Sequence, residues 1–182
     1  MKTKDMVVVA MFAALISVLS QIAIPLPFSP VPVTLQTFAV VLTGAILGSR
    51  KGFLAMAVYT LMGAFGLPVF AQAKSGFPVV FGPSGGFIFG FIIAAYIIGK
   101  IIEKKEIQTY AGTLGAMAIG LVVIYTLGLL QLKFVLSLSF GKAFMVGVLP
   151  YLPLEVVKTL FGAYIGFAVR KVIVKAFPEL VA

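Results

Sequence analysis

The sequence contains no cysteine and no histidine, and only five of its 182 residues are acidic. The two absences exclude disulfides and thiol nucleophiles, and they leave no zinc ligand set and no Ser-His-Asp or Cys-His arrangement. The scarcity of carboxylates argues against enzymes that use two metal ions or a pair of catalytic acids. We therefore expect no enzyme, no metal and no resident cofactor.

Charged residues of either sign are also few. They make up 10% of the chain, whereas 62% of the residues are hydrophobic. A water-soluble domain of this size needs a charged surface, and this sequence cannot build one. In a soluble protein the net charge of +9 would suggest a nucleic acid partner. Here the basic residues lie between apolar blocks, so we interpret them as topological anchors in a lipid bilayer and expect no nucleic acid.

The hydrophobic residues form six blocks near the length that crosses a bilayer, about 20 residues at 1.5 Å rise. The first block is long for a signal peptide, lacks a clear small-x-small cleavage site and is followed by further blocks. The pattern predicts an all-α, polytopic membrane protein in which residues 1–182 form a single bundle of six transmembrane helices. The blocks are Met6–Ile24, Val33–Gly48, Phe53–Leu67, Gly85–Ile102, Tyr110–Leu132 and Pro150 to Arg170–Lys171.

Two connections between blocks are rich in proline and cannot be regular helix. Pro25, Pro27, Pro30 and Pro32 occur within eight residues and favour a stiff, extended connection. Residues 68–84 are apolar but are interrupted by prolines, glycines and serines. Because non-helical backbone cannot face lipid, we expect this segment to pack on the protein's own end as a lid.

The basic residues fall unevenly on the two sides that six spans would define. One side receives ten and the other receives three, and Lys158 lies inside a span. Such an asymmetry predicts a cell-membrane protein with both termini in the cytoplasm. The ten are Lys2, Lys4, Arg50, Lys51, Lys100, Lys104, Lys105, Arg170, Lys171 and Lys175, and the three are Lys74, Lys133 and Lys142.

Glu155 and Lys158 are the one charge pair placed well inside a predicted span. They are three residues apart and share a helix face. Each would cost about 2.5–3.5 kcal/mol at a helix centre, so intramembrane ionisable residues usually line a site or a pathway. Glu155 would lie about 7–8 Å from the outer end of its helix. We interpret the pair as an anchor for a polar ligand, and the alternative is a structural ion pair.

Further polar candidates cluster at the same predicted level. The segment around Ser84, Gly85 and Gly86 opens the fourth helix, whose free N–H groups could hold an anion or an acceptor oxygen. The alternative is an ordinary turn with Ser84 as N-cap. Gln36, close to Thr34 and Thr37, is a further candidate, as are Gln72 and Tyr151, although each alone could be a satisfied interfacial residue.

Small residues recur four apart within the blocks, as at Ala10 and Ala14, and allow close helix contact in lipid. Packing inside the same protein is the default explanation. The sequence has no G-x-x-x-x-G-K-[ST] loop, so we expect no ATP hydrolysis by this chain. No convincing internal repeat supports the inverted-repeat architecture of many carriers.

Four segments together resemble the BioY family, the biotin-specific substrate-capture subunit of energy-coupling-factor transporters, and the resemblance covers nearly the whole chain. They are Pro30–Thr37, Gly63–Ala71, Phe81–Phe91 and Pro150–Lys158. Two departures stand out. The family usually has aspartate at the position of Glu155, often after a glycine at the position of Leu154, and it is often glycine-rich where Gln72–Ser75 stands.

The resemblance implies a six-helix fold that binds biotin as transported ligand. Glu155 would accept a hydrogen bond from a ureido N–H of biotin, and Lys158 would reach the ureido carbonyl or neutralise Glu155. The resemblance also implies a transmembrane coupling subunit and two ATP-hydrolysing subunits as partners. In the wider class the first helix contacts the coupling subunit through an Ala-xxx-Ala pair, which Ala10 and Ala14 match.

Two other classes compete with this interpretation. A self-sufficient secondary carrier for a small vitamin-like solute, working as an oligomer, should bind weakly and show ion coupling. A capture subunit should bind tightly without ions or ATP. An intramembrane enzyme is disfavoured by the missing histidine, cysteine and paired acids.

Overall fold

The computed structural model describes residues 3–104 and 109–176. This part of the chain is mostly helical and contains eight α-helices, one 3-10 turn and one β-hairpin. The helices are α1 (Thr3–Leu19), α2 (Gln36–Leu47), α3 (Ser49–Ala64), α4 (Phe77–Val80), α5 (Gly85–Ile102), α6 (Tyr110–Val135), α7 (Phe140–Gly147) and α8 (Leu152–Ala176). The hairpin strands are β1 (Ala23–Leu26) and β2 (Ser29–Thr34), and the 3-10 turn is Ala71–Ala73.

Three of the described helices, α5, α6 and α8, are long and apolar enough to cross a membrane. Helices α1, α2 and α3 have 17, 12 and 16 residues. Large apolar side chains such as Met11, Val122 and Phe161 are exposed on the outside of the bundle, as expected for a surface that faces lipid. The chain is therefore a membrane protein.

Several helix ends differ from the predicted blocks. Helix α1 ends five residues before Ile24, and α2 begins at Gln36 rather than Val33. The expectation of an all-α protein needs correction here, because the proline-rich connection forms an antiparallel ribbon that pairs Ala23 with Thr34 and Ile24 with Val33. The ribbon has only two strands, so each strand has one edge without a partner. A proline, which has no N–H, is tolerated where its nitrogen faces that unpaired edge.

Helix α2 is the centre of the bundle. Every one of its residues except Phe38 is buried, and it packs against α3, α5 and α8. Small residues permit this close approach: a Cβ added at Gly44 would lie 2.8 Å from the carbonyl oxygen of Ala95 on α5. The twelve residues of α2 therefore contact protein on nearly all sides, whereas the outer helices face lipid on one side.

Basic side chains concentrate at one end of the molecule, which we call the basic end. It comprises the start of α1, the α2–α3 junction, the end of α5, the start of α6 and the end of α8. Contacts hold these parts together: Lys51 and Asp5 form an ion pair of 2.9 Å, and Ser49 donates its N–H to Glu103 at 2.7 Å. Lys2 and Lys105 lie outside the described residues.

The hairpin, α7 and residues 68–84 cover the opposite end. Residues 68–84 pack on the protein, as expected of a lid, although Phe77–Val80 form one helical turn. Gln21 accepts the N–H of Ala73 at 3.0 Å, and Gln131 donates to the carbonyls of Val80 and Gly82 at 3.0 and 2.8 Å. Two side chains distant in sequence, one in the turn after α1 and one on α6, thus hold the segment in place.

Candidate functional site

A cleft opens beneath this cover, between β2, the N-terminal turns of α2 and α5, the outer part of α6 and the start of α8. The space within it, counted out to its mouth and including open solvent, is about 640 Å³. Most of its walls are apolar, and a few polar groups converge on them. It is lined by Val31, Pro32, Thr34, Gln36, Thr37, Phe70, Ala71, Gln72, Lys74, Val79, Ser84, Phe87, Ile88, Phe91, Tyr125, Gly147, Tyr151 and Glu155.

The Glu155 carboxylate is the anionic group of this cleft. One of its oxygens, Oε1, accepts three hydrogen bonds, from Lys158 Nζ at 2.5 Å, Thr37 Oγ1 at 2.8 Å and Tyr125 OH at 3.0 Å. The residue is 5% exposed, and within the described part of the chain its other oxygen, Oε2, has no hydrogen-bond partner. A buried carboxylate with one saturated oxygen and one unpaired oxygen keeps the capacity to accept a further hydrogen bond.

Lys158 lies behind Glu155 and does not line the cleft. Its ammonium donates to the Thr34 carbonyl oxygen at 2.9 Å, to Thr37 Oγ1 at 2.6 Å and to Glu155 Oε1. An ammonium has three N–H donors, and these three acceptors use all of them. The structure therefore favours the neutralising role for Lys158 over direct contact with a ligand.

Thr37 and Tyr125 are the other two hydrogen-bond donors to the Glu155 carboxylate. Thr37 stands next to a predicted site residue, but the sequence alone did not single it out. Tyr125 lies in the middle of α6, and its ring packs edge-on against Phe87 with 5.8 Å between the ring centroids. A phenol inside an otherwise apolar span was the signal that could have revealed it.

Gln36 and Tyr151, two of the candidates named from the sequence, line the cleft, and both already have internal partners. Gln36 Nε2 donates to the Tyr59 hydroxyl at 2.6 Å, and its Oε1 accepts from Thr34 at 3.1 Å. The Tyr151 hydroxyl donates to the Val31 carbonyl at 2.5 Å and lies 2.8 Å from Ser29 Oγ. Tyr151 thus ties the hairpin to the start of α8 across the mouth of the cleft.

The glycine turn before α5 places Ser84 at the N-cap position of that helix, as one of the two sequence interpretations had it. Ser84 lines the cleft, but its side chain makes no capping hydrogen bond to α5. The N–H of Gly85 donates to the Gly82 carbonyl at 3.1 Å and is not free for an anion. Gly85 and Gly86 are buried, and any Cβ at Gly86 would clash with the Leu127 backbone. These two glycines allow α5 to approach α6 and do not line the cleft.

Gln72 and Lys74 lie at the rim, on the 3-10 turn and just after it. Gln72 adopts a left-handed conformation, with φ 62° and ψ 33°, and Ala73 follows with φ 54°. Lys74 is exposed, and of the described residues lining the cleft it is the one with a cationic side chain. The cleft therefore has a carboxylate at its floor and an ammonium at its mouth.

Ala10 and Ala14 lie far from this cleft, on the exposed face of α1. The buried face of the same helix carries Val9, Ala13 and Ile16. Within the described chain the alanine pair is therefore not used for internal packing.

The fold is that of an S-component. The chain superposes on a solved structure titled "Crystal structure at 2.1 A of the S-component for biotin from an ECF-type ABC transporter" with a TM-score of 0.87, covering 94% of this chain and 95% of that one at 24% identity. The sequence pattern of the BioY family matches residues 1–175, and the chain belongs to this family.

Relatives with established names agree with this assignment. The chain is 42% identical to biotin transporter BioY of Thermotoga maritima, over 92% of this chain and 96% of the relative. It is 37% identical to biotin transporter BioY of Rhizobium etli, over 93% and 94%, and 42% identical to probable biotin transporter BioY of Pyrococcus horikoshii, over 91% and 96%. These relatives are named as transporters, not as enzymes.

Proposed function

We propose that this chain binds biotin and serves its uptake across the cell membrane as the substrate-capture subunit of an energy-coupling-factor transporter. The observation that carries the proposal is the cleft with Glu155, one of whose buried carboxylate oxygens has no partner among the described residues, at its floor and Lys74 at its mouth. Membership of the BioY family and relatives named biotin transporters support it.

The head of biotin suits the floor of the cleft. Its ureido ring is neutral and carries two N–H donors and one carbonyl acceptor, and Glu155 Oε2 would accept one of those N–H groups. Lys158, Thr37 and Tyr125 hold Oε1 and so orient Oε2. The Gln36 amide retains one unassigned N–H, which would suit the ureido carbonyl.

The tail of biotin ends in a carboxylate and suits the mouth. We assign this carboxylate to Lys74, with Gln72 and Ser84 as neutral partners on the same rim. The apolar walls, including Phe87, Ile88 and Phe91, would cover the ring sulfur and the methylene chain between the two polar ends. In this assignment biotin is the transported ligand. Its ureido ring would contact the carboxylate of Glu155, and its tail carboxylate would contact the ammonium of Lys74.

We also propose six spans, namely α1, α2, α3, α5, α6 and α8, in a single domain over residues 1–182 with both termini cytoplasmic. Helices α1 and α3 would reach about 24–26 Å at 1.5 Å per residue, close to the hydrocarbon thickness. Helix α2 is shorter, but protein surrounds it, and buried backbone need not match the bilayer. The asymmetry of basic residues supports the orientation.

Energy for transport would come from partners, because this sequence contains no phosphate-binding loop of the Walker A type. The partners would be a transmembrane coupling subunit and two ATP-hydrolysing subunits. The exposed alanines at positions 10 and 14 would contact the coupling subunit through close helix packing.

The test is equilibrium binding of radiolabelled biotin, thiamin and riboflavin to the purified chain in detergent, with no added ion gradient or ATP. We expect tight, stoichiometric binding of biotin alone. Weak binding that depends on sodium ions or protons would contradict the proposal and favour a self-sufficient secondary carrier.

A further inference from the structure

A second cavity lies at the basic end and shares no lining residue with the biotin cleft. It lies between the last turn of α5, the first turns of α6 and the last turns of α8, and its space, counted out to the opening and including open solvent, is about 590 Å³. Its walls combine apolar side chains with two cationic ones. It is lined by Ile102, Thr113, Phe167, Arg170, Lys171 and Val174.

Arg170 is the buried cation of this cavity and is only 7% exposed. Its Nη1 donates to the carbonyls of Ala45 and Ile46, at 3.2 and 3.0 Å, and so satisfies acceptors that the end of α2 leaves unpaired. Its Nε–H is buried and has no partner in the described part of the chain. An unpaired donor on a buried charge is unfavourable, so this group favours an acceptor with negative charge.

Lys171 adds a second positive charge at the opening. It is exposed, and its Nζ lies 6.0 Å from the centroid of the Phe167 ring on the cavity wall. The carboxylate of Glu103, at the same end, accepts the Ser49 N–H at 2.7 Å and the Ser49 hydroxyl at 2.8 Å. The acidic group is thus engaged with α3, while both cationic groups line the cavity.

We propose that this cavity binds an anionic phospholipid. The phosphate would accept from Arg170 Nε–H and Lys171 Nζ, and the acyl chains would follow Ile102, Phe167 and Val174. A lipid fits better than a free phosphate because half of the lining is apolar and the lining belongs to α5, α6 and α8, the described helices that are long and apolar enough to cross a membrane. Basic pockets between membrane helices bind anionic headgroups for the same electrostatic reason. A bound lipid would also fasten α8 to the end of α2 through Arg170.

The experiment compares phosphatidylglycerol with phosphatidylcholine of identical acyl chains, added to the purified full chain in a non-ionic detergent. Native mass spectrometry counts bound lipid, and glycerol 3-phosphate and inorganic phosphate serve as headgroup-only competitors. We expect one phosphatidylglycerol to bind at least about tenfold more tightly than phosphatidylcholine, because charge-assisted hydrogen bonds act on one lipid only. The headgroup-only competitors should not displace it at equal concentration.

Three variants locate the site. Arg170→Gln and Lys171→Gln should each remove most of the preference for phosphatidylglycerol. Lys175→Gln, an exposed lysine one turn further along α8 that does not line the cavity, should keep it. If Arg170→Gln does not fold, the comparison of Lys171→Gln with Lys175→Gln tests the site.

Three results would overturn the proposal. The first is equal binding of the two lipids, and the second is equal losses in Lys171→Gln and Lys175→Gln, which would mean diffuse attraction. The third is displacement by inorganic phosphate at equal concentration, which would mean a site for small anions.

Discussion

Glu155 and Lys158 form a charged pair of which only Glu155 lines the cleft that we propose for biotin. Both are buried, and the three donors of Lys158 are taken by acceptors of the protein itself. Removing one member of a buried pair leaves an uncompensated charge, which is more harmful than removing both. Binding and stability should therefore separate when the two residues are mutated singly and together.

The first prediction uses Glu155→Gln, Lys158→Met and the double variant. Glu155→Gln should weaken biotin binding by about one to two decades, because a charge-assisted hydrogen bond contributes roughly 1.5–3 kcal/mol. Lys158→Met should lower the melting temperature most, and the double variant should recover much of that stability without recovering affinity. Thermal unfolding and equilibrium binding measure the two effects. A double variant with wild-type affinity would show that the pair is only structural.

The second prediction separates the two ends of the ligand. Lys74→Gln should weaken binding of biotin by about tenfold, but should leave binding of biotin amide, which has no tail charge, almost unchanged. Lys142→Gln removes an exposed charge at the same end of the molecule, outside the cleft, and should change neither. Equal losses for biotin and biotin amide would place the tail carboxylate elsewhere.

At the scale of secondary-structure elements, the sequence was sufficient to predict a helix where the helix depends only on its own hydrophobic run. The predicted blocks at α5, α6 and α8 correspond to helices, because a long apolar run in lipid must satisfy its backbone hydrogen bonds internally, as a helix does. The ends of α2 and the presence of the hairpin could not be predicted from the sequence, because contacts with distant parts of the chain determine them. Two of the three acceptors of Lys158 belong to Thr34 and Thr37, more than a hundred residues away, and no local pattern encodes such a contact.

Residues 72–75, at the rim of the cleft, are a second place where the sequence alone did not predict the conformation. The BioY family is often glycine-rich where Gln72–Ser75 stands, and the structure supplies a physical reason. Gln72 and Ala73 adopt φ values of 62° and 54°, which favour glycine. In this chain, Gln21 accepts the Ala73 N–H and helps to hold the unfavourable conformation.

The third prediction tests that strain. Ala73→Gly should raise the melting temperature, since the left-handed conformation is unfavourable by about 1–2 kcal/mol for a residue with a Cβ, against about 0.5–1 kcal/mol of added chain entropy. Ala71→Gly, in the same turn but not at positive φ, should be neutral or destabilising. Differential scanning fluorimetry in detergent gives both values. A gain of equal size in the two variants would contradict the role of strain.

At the scale of the whole molecule, the surfaces that we propose for biotin and for the coupling subunit are different. The cleft lies under the hairpin and residues 68–84, whereas the exposed alanines of α1 face outward from the bundle. No described residue of the cleft belongs to α1. If α1 contacts the coupling subunit as we propose, a change on its outer face should disturb assembly without changing the cleft.

The last prediction follows from this separation. Ala10→Leu or Ala14→Leu should block biotin uptake by the assembled transporter, because a bulky side chain prevents close helix contact with the coupling subunit. Binding of biotin by the isolated chain should stay at the wild-type level. Ala168→Leu, a matched change at an exposed position of α8, should leave both uptake and binding intact. Uptake is measured in cells that produce all subunits, and binding is measured on the purified variants. If uptake and binding fell together in the α1 variants, the alanines would be internal packing positions, and the coupling subunit would have to contact another face.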